Sequence, residues 1–202
     1  MSGRRVVLAT RNTKKLAELR RILDPLLPGL EVLGLDSVPA YDEPPETEPT
    51  FEGNALIKAR AGHAATGLPT LADDSGLCVD ALNGMPGVLS ARWAGVAKDD
   101  AANNALLLAQ TVDVPDERRG VEFRCAAALV LSGGEEMVET GVLRGRLLHA
   151  PQGDGGFGYD PLVVADGQTV SNGALSPADK DAISHRGRAL RAITPALVRA
   201  LT

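Results

Sequence analysis

The hydrophobic pattern of the first 35 residues predicts a strand, a helix and a second strand. Residues 6–10 form an apolar run rich in β-branched side chains, which is typical of a buried strand. Leucine and isoleucine then recur at helical spacing over residues 16–26, and proline and glycine close this helix. Residues 31–35 are again apolar. Short joints between strand, helix and strand favour a parallel α/β unit.

The later elements are predicted from the same two periods and from turn residues. In chain order they are an acidic, proline-rich loop over 36–50, a helix that Thr50 caps and that extends to about residue 66, a strand over 69–73, a turn at 74–76, a strand over 77–82, a helix over 98–111, a hairpin of strands over 121–131 and 137–148, a strand over 161–165, and two C-terminal helices, the first capped by Ser176. Together they predict a mixed α/β fold with a long twisted central sheet flanked by helices. No repeat or long linker divides the 202 residues, so we expect one domain over 1–202.

Composition narrows the class of protein. A formal charge of -5 excludes the broad basic surface that binds duplex phosphates, so we expect no nucleic-acid partner. The cysteines, Cys78 and Cys125, form neither a disulfide framework nor a CxxC pair, and both lie in apolar runs where we expect them to be buried. No secretory segment or membrane span is visible, so we expect a cytoplasmic protein with no membrane partner.

The first candidate site lies between the first strand and the first helix, at residues 10–15 (TRNTKK). Backbone N–H groups at a helix N-terminus favour anions, and hydroxyl groups and a lysine add donors, so a triphosphate fits here. The glycines of a Walker A loop are absent. Polar residues that merely cap a surface helix would give the same pattern.

The second candidate site is the acidic pair Asp73-Asp74 at the end of a predicted strand. Such carboxylates suit Mg²⁺, which prefers oxygen ligands, and one of them could take a proton from an attacking water. Because neighbouring residues of a strand point in opposite directions, only one aspartate need face the site. Glu46 in the acidic loop is a possible second ligand. The alternatives are an Asx turn before Gly76 and a solvated charged loop.

Two further segments contain rare residues. Residues 155–160 (GGFGYD) hold two of the six aromatic side chains, and glycines there would let the backbone approach a ligand whose base stacks on an aromatic ring. Lys180 and the segment 184–187 (SHRG) add donors for phosphate or for base carbonyls. A plain turn and a structural histidine are the alternative interpretations.

In this order the segments resemble the inosine triphosphate pyrophosphatase (Ham1-like) family. The family patterns ATxNxxKxxE, ETxxTFxxNAxxKA, ADDSGLxVDALxGxPGxxSAR, GGFGYDPxF and KxAxSHRGxAL match residues 9–18, 46–59, 72–92, 155–162 and 180–190. The resemblance therefore spans almost the whole chain. It departs at Glu48-Pro49, where the family has Gly-x, and at Gly53, where an acid is common; both changes bear on the Glu46 loop. It also departs at Val163, where the GGFGYDPxF pattern ends in an aromatic residue.

The resemblance implies a role for each matched residue. Asp74 would be the catalytic proton acceptor and a ligand of the cofactor Mg²⁺, with Glu46 as the other metal ligand. The residues implied to bind the triphosphate are Thr10, Arg11, Asn12, Thr13, Lys14 and Lys15, with Lys58 over the phosphates, and Ser75 would also touch the substrate. The residues implied to bind the base are Phe157, Gly158, Tyr159 and Asp160, and Phe157 would stack on it. Lys180, His185 and Arg186 would complete the pocket. The nucleotide site would lie in a cleft between two lobes.

The implied reaction is hydrolysis of deaminated purine nucleoside triphosphates (ITP, dITP and XTP) to the monophosphate and diphosphate, by a homodimer that cleanses the nucleotide pool. Two alternatives stay open at this point. A Maf-like nucleotide pyrophosphatase would act on other nucleotides, and a nucleotide-binding sensor would bind without releasing diphosphate.

Overall fold

The computed structural model describes residues 4–95 and 99–201. Its strands are β1 (Arg5–Leu8), β2 (Glu31–Leu33), β3 (Thr70–Val79), β4 (Gly120–Val130), β5 (Glu136–Leu147) and β6 (Val163–Ala165). Its α-helices are α1 (Thr13–Leu26), α2 (Phe51–Thr66), α3 (Asp100–Gln110), α4 (Pro177–Ile183) and α5 (His185–Leu201). Lys98, where the sequence predicts that a helix begins, lies outside the described residues.

The strands form one six-stranded sheet in the order β2-β1-β3-β4-β5-β6. Strand β1 is parallel to both β2 and β3, with Val7 opposite Leu33 on one side and Thr70 on the other. The edge pair β5–β6 is antiparallel. The sheet therefore mixes both directions, which confirms the predicted mixed α/β class.

By their contacts the residues divide into two compact units, and each has its own core. The first unit comprises the chain up to Asp74, Cys125–Gly141 and the chain from Arg186 onward; the second comprises Ser75–Arg124 and Val142–His185. In the first core, leucine and isoleucine from α1 and α5 pack on residues of β1, β3 and β4. In the second core, Leu107 of α3 packs with apolar residues of β3, β4, β5 and β6. The single domain and the cleft between lobes stay predictions.

Local signals position the helices as the sequence predicts. The Thr50 hydroxyl accepts the N–H of Gly53 at 3.1 Å and opens α2, which ends at Thr66. Ser176 caps α4 in the same way through the N–H of Asp179. Because a capping side chain satisfies an N–H that the helix leaves without a partner, these residues fix where each helix begins.

The predicted turn at residues 74–76 is wrong. Strand β3 runs without interruption from Thr70 to Val79. An Asx turn needs an aspartate to bond its own backbone, but here lysines from α1 and α2 bond the carboxylates of Asp73 and Asp74. The backbone of these residues is therefore free to continue the strand.

Two further expectations concern the cysteines and the membrane. Cys125 is buried and burial raises its pKa to about 12, whereas Cys78 is only half-buried, which corrects the expectation for that residue. Within the described residues, no helix combines the length and the apolar character needed to cross a membrane.

Candidate active site

The segment that precedes α1 is a capped helix start. The Asn12 side chain accepts the N–H groups of Lys14 and Lys15 at 3.0 and 3.1 Å, and the Thr10 hydroxyl accepts the N–H of Asn12. Asn12, Thr13 and Lys14 are exposed. The helix start thus presents a hydroxyl group and a lysine to solvent, while the Asn12 side chain occupies the backbone N–H groups of Lys14 and Lys15.

Arg11 differs from its neighbours because its guanidinium turns toward the acidic loop. It donates to the Tyr41 carbonyl at 3.1 Å and pairs with Glu43 at 3.3 Å, and both side chains of the pair are exposed. A cavity of about 350 Å³ lies here, lined by Thr10, Arg11, Thr13, Leu16, Leu35, Asp36, Ala40 and Tyr41. Contact between Arg11 and a triphosphate stays a prediction.

Asp73 lies in a buried chain of charges. Its Oδ2 accepts Lys15 Nζ at 3.0 Å and Arg186 Nε at 3.1 Å, and Arg186 Nη1 donates to Glu18 Oε2 at 2.6 Å. Burial alone would raise the pKa of Asp73, but the charges of Lys15, Arg186 and Lys58 outweigh it and hold that pKa far below its usual range. Asp73 is therefore a fixed anion that orients Lys15.

Asp74 lies in a second cluster, which is centred on Lys58. The ammonium group of Lys58 donates to Asp74 Oδ1 at 3.0 Å and to Glu46 Oε1 at 3.2 Å. Asp74 and Lys58 are buried, and Glu46 is partly exposed. Because successive residues of β3 alternate in direction, Asp73 and Asp74 contact different lysines, Lys15 and Lys58.

The pKa directions in this cluster follow from burial and from an excess of carboxylates. Burial raises the pKa of Asp74, Lys58 and Lys15 oppose that shift, and Glu46 adds to it. Burial lowers the pKa of Lys58, but the charges of Asp74, Asp73 and Glu46 outweigh burial, so the net direction is upward. Asp74 is thus a stronger base than an exposed aspartate, and it lies beside a permanently charged ammonium.

The donor set suits Mg²⁺. Among the described residues, Asp74 Oδ2 is buried and no hydrogen-bond donor reaches it, which leaves one oxygen of the pair available. No group of three or more acidic, histidine or cysteine residues that could hold a metal occurs in the described ranges. Mg²⁺ needs no such group, since it is commonly held by one or two carboxylates together with substrate phosphates. Asp74 and Glu46 fit that requirement.

In the second unit, the loop over residues 155–160 is tied down by Asp160 and Lys180. Asp160 Oδ2 accepts the N–H of Phe157 at 2.8 Å and Lys180 Nζ at 2.6 Å. The same ammonium group lies 4.6 Å from the centre of the Phe157 ring, within the range of a cation–π contact. The structure therefore brings together two predicted base-binding residues, Phe157 and Asp160, with Lys180, which is predicted to complete the pocket.

Three other predicted residues are more buried than a direct contact with substrate suggests. The Tyr159 ring is in the second core and its hydroxyl donates to the Ser90 carbonyl at 2.8 Å. The buried His185 ring stacks on Phe123 at 5.0 Å. The Arg186 guanidinium is 2% exposed and pairs with Asp73 and Glu18. These side chains have structural partners, and their contact with substrate stays a prediction, as it does for the half-buried Ser75.

Sequence reasoning gave no role to three residues of these clusters. Glu18 is buried on α1 and pairs with Arg186, and its signal was its place as the last residue of the ATxNxxKxxE pattern. Asp100 and Asn104 of α3 bond the backbone of Gly158. Asp100 and Asn104 are polar residues spaced by four, so they lie one helical turn apart on the same face of α3. They follow Asp99, an aspartate that could cap the helix, and this pattern was their signal in the sequence.

A mixed α/β sheet with an exposed helix N-terminus, two lysines and two buried aspartates defines a protein that acts on a phosphorylated ligand. Its family is the Ham1 family, to which the chain belongs: the family's sequence profile matches residues 6–196. A dITP/XTP pyrophosphatase of Nocardia farcinica is 65% identical over 198 residues, which cover 98% of this chain and 96% of that protein.

Solved structures agree with this assignment. The chain is similar to a nucleoside-triphosphatase / dITP/XTP pyrophosphatase of Mycobacterium abscessus, with 56% identity, a TM-score of 0.77, and coverage of 95% of this chain and 99% of that one. It is also similar to the Staphylococcus aureus Ham1 protein, with 34% identity, a TM-score of 0.84, and coverage of 96% and 98%.

Proposed function

We propose that this chain hydrolyses ITP, dITP and XTP to the monophosphate and diphosphate, with Mg²⁺ as cofactor. Membership of the Ham1 family, together with relatives named dITP/XTP pyrophosphatase, makes the chain a hydrolase of phosphoanhydride bonds. The observation that carries the finer proposal is the buried Oδ2 of Asp74, which no donor reaches within the described residues. An acceptor without a donor is costly to bury unless a ligand completes it.

The residues of the first unit would bind the triphosphate. Thr10, Thr13 and Lys14 lie at the N-terminus of α1, whose dipole favours phosphate oxygens. Lys15 and Lys58 are held by Asp73 and Asp74, so their ammonium groups need no reordering when phosphate arrives. Groups fixed in advance stabilise developing charge more effectively than mobile ones, which is the main requirement of phosphoryl chemistry.

Asp74 would accept the proton of the attacking water. Lys58 binds Oδ1 and orients the carboxylate, which leaves Oδ2 without a donor among the described residues. Burial raises the pKa of Asp74, which strengthens the carboxylate as a base, and the charge of Lys58 opposes that shift. Asp74 and Glu46 would hold Mg²⁺, which when bound supplies positive charge to the phosphates.

The residues of the second unit would bind the base. Phe157 would offer an aromatic face on which the base stacks. Lys180, whose ammonium group lies beside that ring, and His185 of the KxAxSHRGxAL motif would supply hydrogen-bond donors to the base. A 6-oxo purine accepts hydrogen bonds where the amino group of adenine donates them, so such donors favour hypoxanthine and xanthine over adenine. A homodimer and a cytoplasmic location remain predictions for this chain.

A panel of nucleotides tests the proposal. With Mg²⁺, the donor argument predicts diphosphate release from ITP and XTP far faster than from ATP, and the relatives named for dITP and XTP lead us to expect that GTP, also a 6-oxo purine, is slow as well. Equal rates on all four would contradict the proposed selectivity, and tight binding without release would favour a sensor. Asp74→Asn should lower kcat by about 10²- to 10⁴-fold, the usual contribution of a general base. The matched control is Asp24→Asn, which changes an exposed acid of α1 and should leave kcat unchanged.

A further inference from the structure

Helix α3 holds both backbone polar groups of Gly158, a glycine in the middle of the base-binding loop. The Asp100 carboxylate accepts the N–H of Gly158 at 2.8 Å, and the Asn104 side chain donates to the carbonyl of the same residue at 3.0 Å. We infer that Asp100 and Asn104 are positioning residues that keep the Phe157 loop in its nucleotide-binding conformation. The inference rests on the proposed function.

The sequence of α3 frees both side chains for this contact. Asp99 caps the helix by accepting the N–H groups of Ala101 and Ala102, so Asp100 is not needed as the cap. Asp100 and Asn104 are four residues apart and therefore lie on the same helix face, one turn from each other. One side chain accepts and the other donates, as required to bond the N–H and the C=O of a single residue.

Gly158 is the residue of this loop that most needs an external constraint. Its φ of +61° is in the left-handed region, which glycine enters and leaves at little cost. Apart from its two chain neighbours, no atom of the described residues lies within 4 Å of where its Cβ would be, so their packing does not fix it. Three of the four residues from 155 to 158 are glycines, so this stretch gains more conformational freedom than most when its contacts are lost.

The peptide group that α3 bonds follows Phe157 directly. Holding the Gly158 N–H fixes the plane of the Phe157–Gly158 peptide, while Asp160 holds the N–H of Phe157 itself. Together these bonds set the backbone on both sides of the Phe157 side chain, whose ring faces Lys180. The two residues of α3 thus act on the base-binding ring through the backbone of the residue that follows it.

The expected effect is on substrate binding more than on the chemical step. If the loop without its contact to α3 adopts the binding conformation about a tenth of the time, the apparent affinity for nucleotide falls about tenfold. Because the base is remote from the bond that breaks, the loss is shared by ground state and transition state, which raises KM and leaves kcat almost unchanged.

The test measures kcat and KM for ITP in Asp100→Ala, together with hydrogen exchange of the Gly158 amide followed by NMR in the protein without nucleotide. We expect KM to rise about tenfold, kcat to change less than twofold, and the Gly158 amide to exchange at least tenfold faster. Asp100→Asn keeps a side-chain oxygen that can accept the amide, so it should rescue most of the affinity. Glu117→Ala removes an exposed acid of the same unit and is the matched control.

An unchanged KM, or an unchanged exchange rate at Gly158, would overturn the inference. Because Asn104 bonds the same residue, the affinity of the double variant Asp100→Ala/Asn104→Ala should fall by less than the product of the two single-variant effects. Effects that multiply in full would also count against the inference. Failure of the proposed function looks different, because the unaltered protein would then release no diphosphate from ITP or XTP. In that case the exchange rate alone decides whether α3 fixes the loop.

Discussion

Replacing Asp73 with asparagine removes one charge from a buried chain of two cations and two carboxylates. Asp73 Oδ2 lies 3.0 Å from Lys15 Nζ and 3.1 Å from Arg186 Nε, and Arg186 also pairs with Glu18 at 2.6 Å. The side chains of Asp73, Arg186 and Glu18 are all 2% exposed or less. Loss of one member leaves an uncompensated charge in the interior, since only Glu18 then balances two cations.

The size of the effect follows from this burial. Removing one partner of a buried ion pair costs about 3–5 kcal/mol, whereas an exposed pair contributes about 0–1 kcal/mol. Asparagine still offers an oxygen to Lys15 and Arg186, so we expect the lower end, about 3 kcal/mol of unfolding free energy at pH 7. The control Asp24→Asn, an exposed acid, should change it by less than about 0.5 kcal/mol.

The effect should also depend on pH, with a sign that the structure fixes. The folded protein holds the pKa of Asp73 far below its unfolded value of about 3.9, so ionised Asp73 stabilises the fold fully above that value. As pH falls below about 4, the unfolded chain takes up a proton at this residue that the folded protein does not. The stability difference between the native protein and Asp73→Asn should therefore shrink.

Urea unfolding of the native protein and the Asp73→Asn variant between pH 7.5 and pH 2.5 measures both effects. A difference below about 1 kcal/mol at pH 7 would refute the claim that this charge chain is an essential part of the fold. A difference that stays constant down to pH 2.5 would refute the assigned direction of the Asp73 pKa.

Two further predictions concern single side chains outside the charge clusters. Thr50→Ala should lower the unfolding free energy by about 1 kcal/mol, because the N–H of Gly53 loses its capping acceptor. Thr50→Ser keeps the hydroxyl group and should restore the lost stability. A Tm that Thr50→Ala leaves unchanged would contradict the assigned cap. With a chromogenic thiol reagent at pH 8, the half-buried Cys78 should react in an early phase, well before the buried Cys125, whose pKa of about 12 leaves almost no thiolate. Cys78→Ser should abolish this early phase. An early phase that persists in that variant would show that Cys125 is accessible.

The parts of the fold that local chemistry determines could be predicted from the sequence. Thr50 and Ser176 mark the starts of α2 and α4, and the structure places both caps there. The turn predicted at residues 74–76 failed because the lysines that satisfy Asp73 and Asp74 come from α1 and α2, far away in the sequence. A local signal for an Asx turn was overridden by tertiary contacts that no short window contains.

The candidate site divides in the same way. Motif order indicated Asp74, Lys58 and Glu46, and the structure brings these three side chains together around one ammonium group. The pairing of Arg186 with Glu18, 168 residues apart, has no local signature, so the sequence assigned Arg186 to the pocket without indicating its buried carboxylate partners. Tyr159 and Phe157 look equivalent in the sequence. Only the packing in the folded protein shows that the Tyr159 ring belongs to the second core, whereas the Phe157 ring lies in the loop beside Lys180.

The identity of the products formed from ITP tests the central claim most directly. With Mg²⁺, we expect the native protein to yield inosine monophosphate and diphosphate in equal amounts, and Asp74→Asn to yield neither above about 1% of that rate. Formation of inosine diphosphate and orthophosphate would contradict hydrolysis at the predicted bond. Full activity of Asp74→Asn would contradict the role of Asp74 as the base.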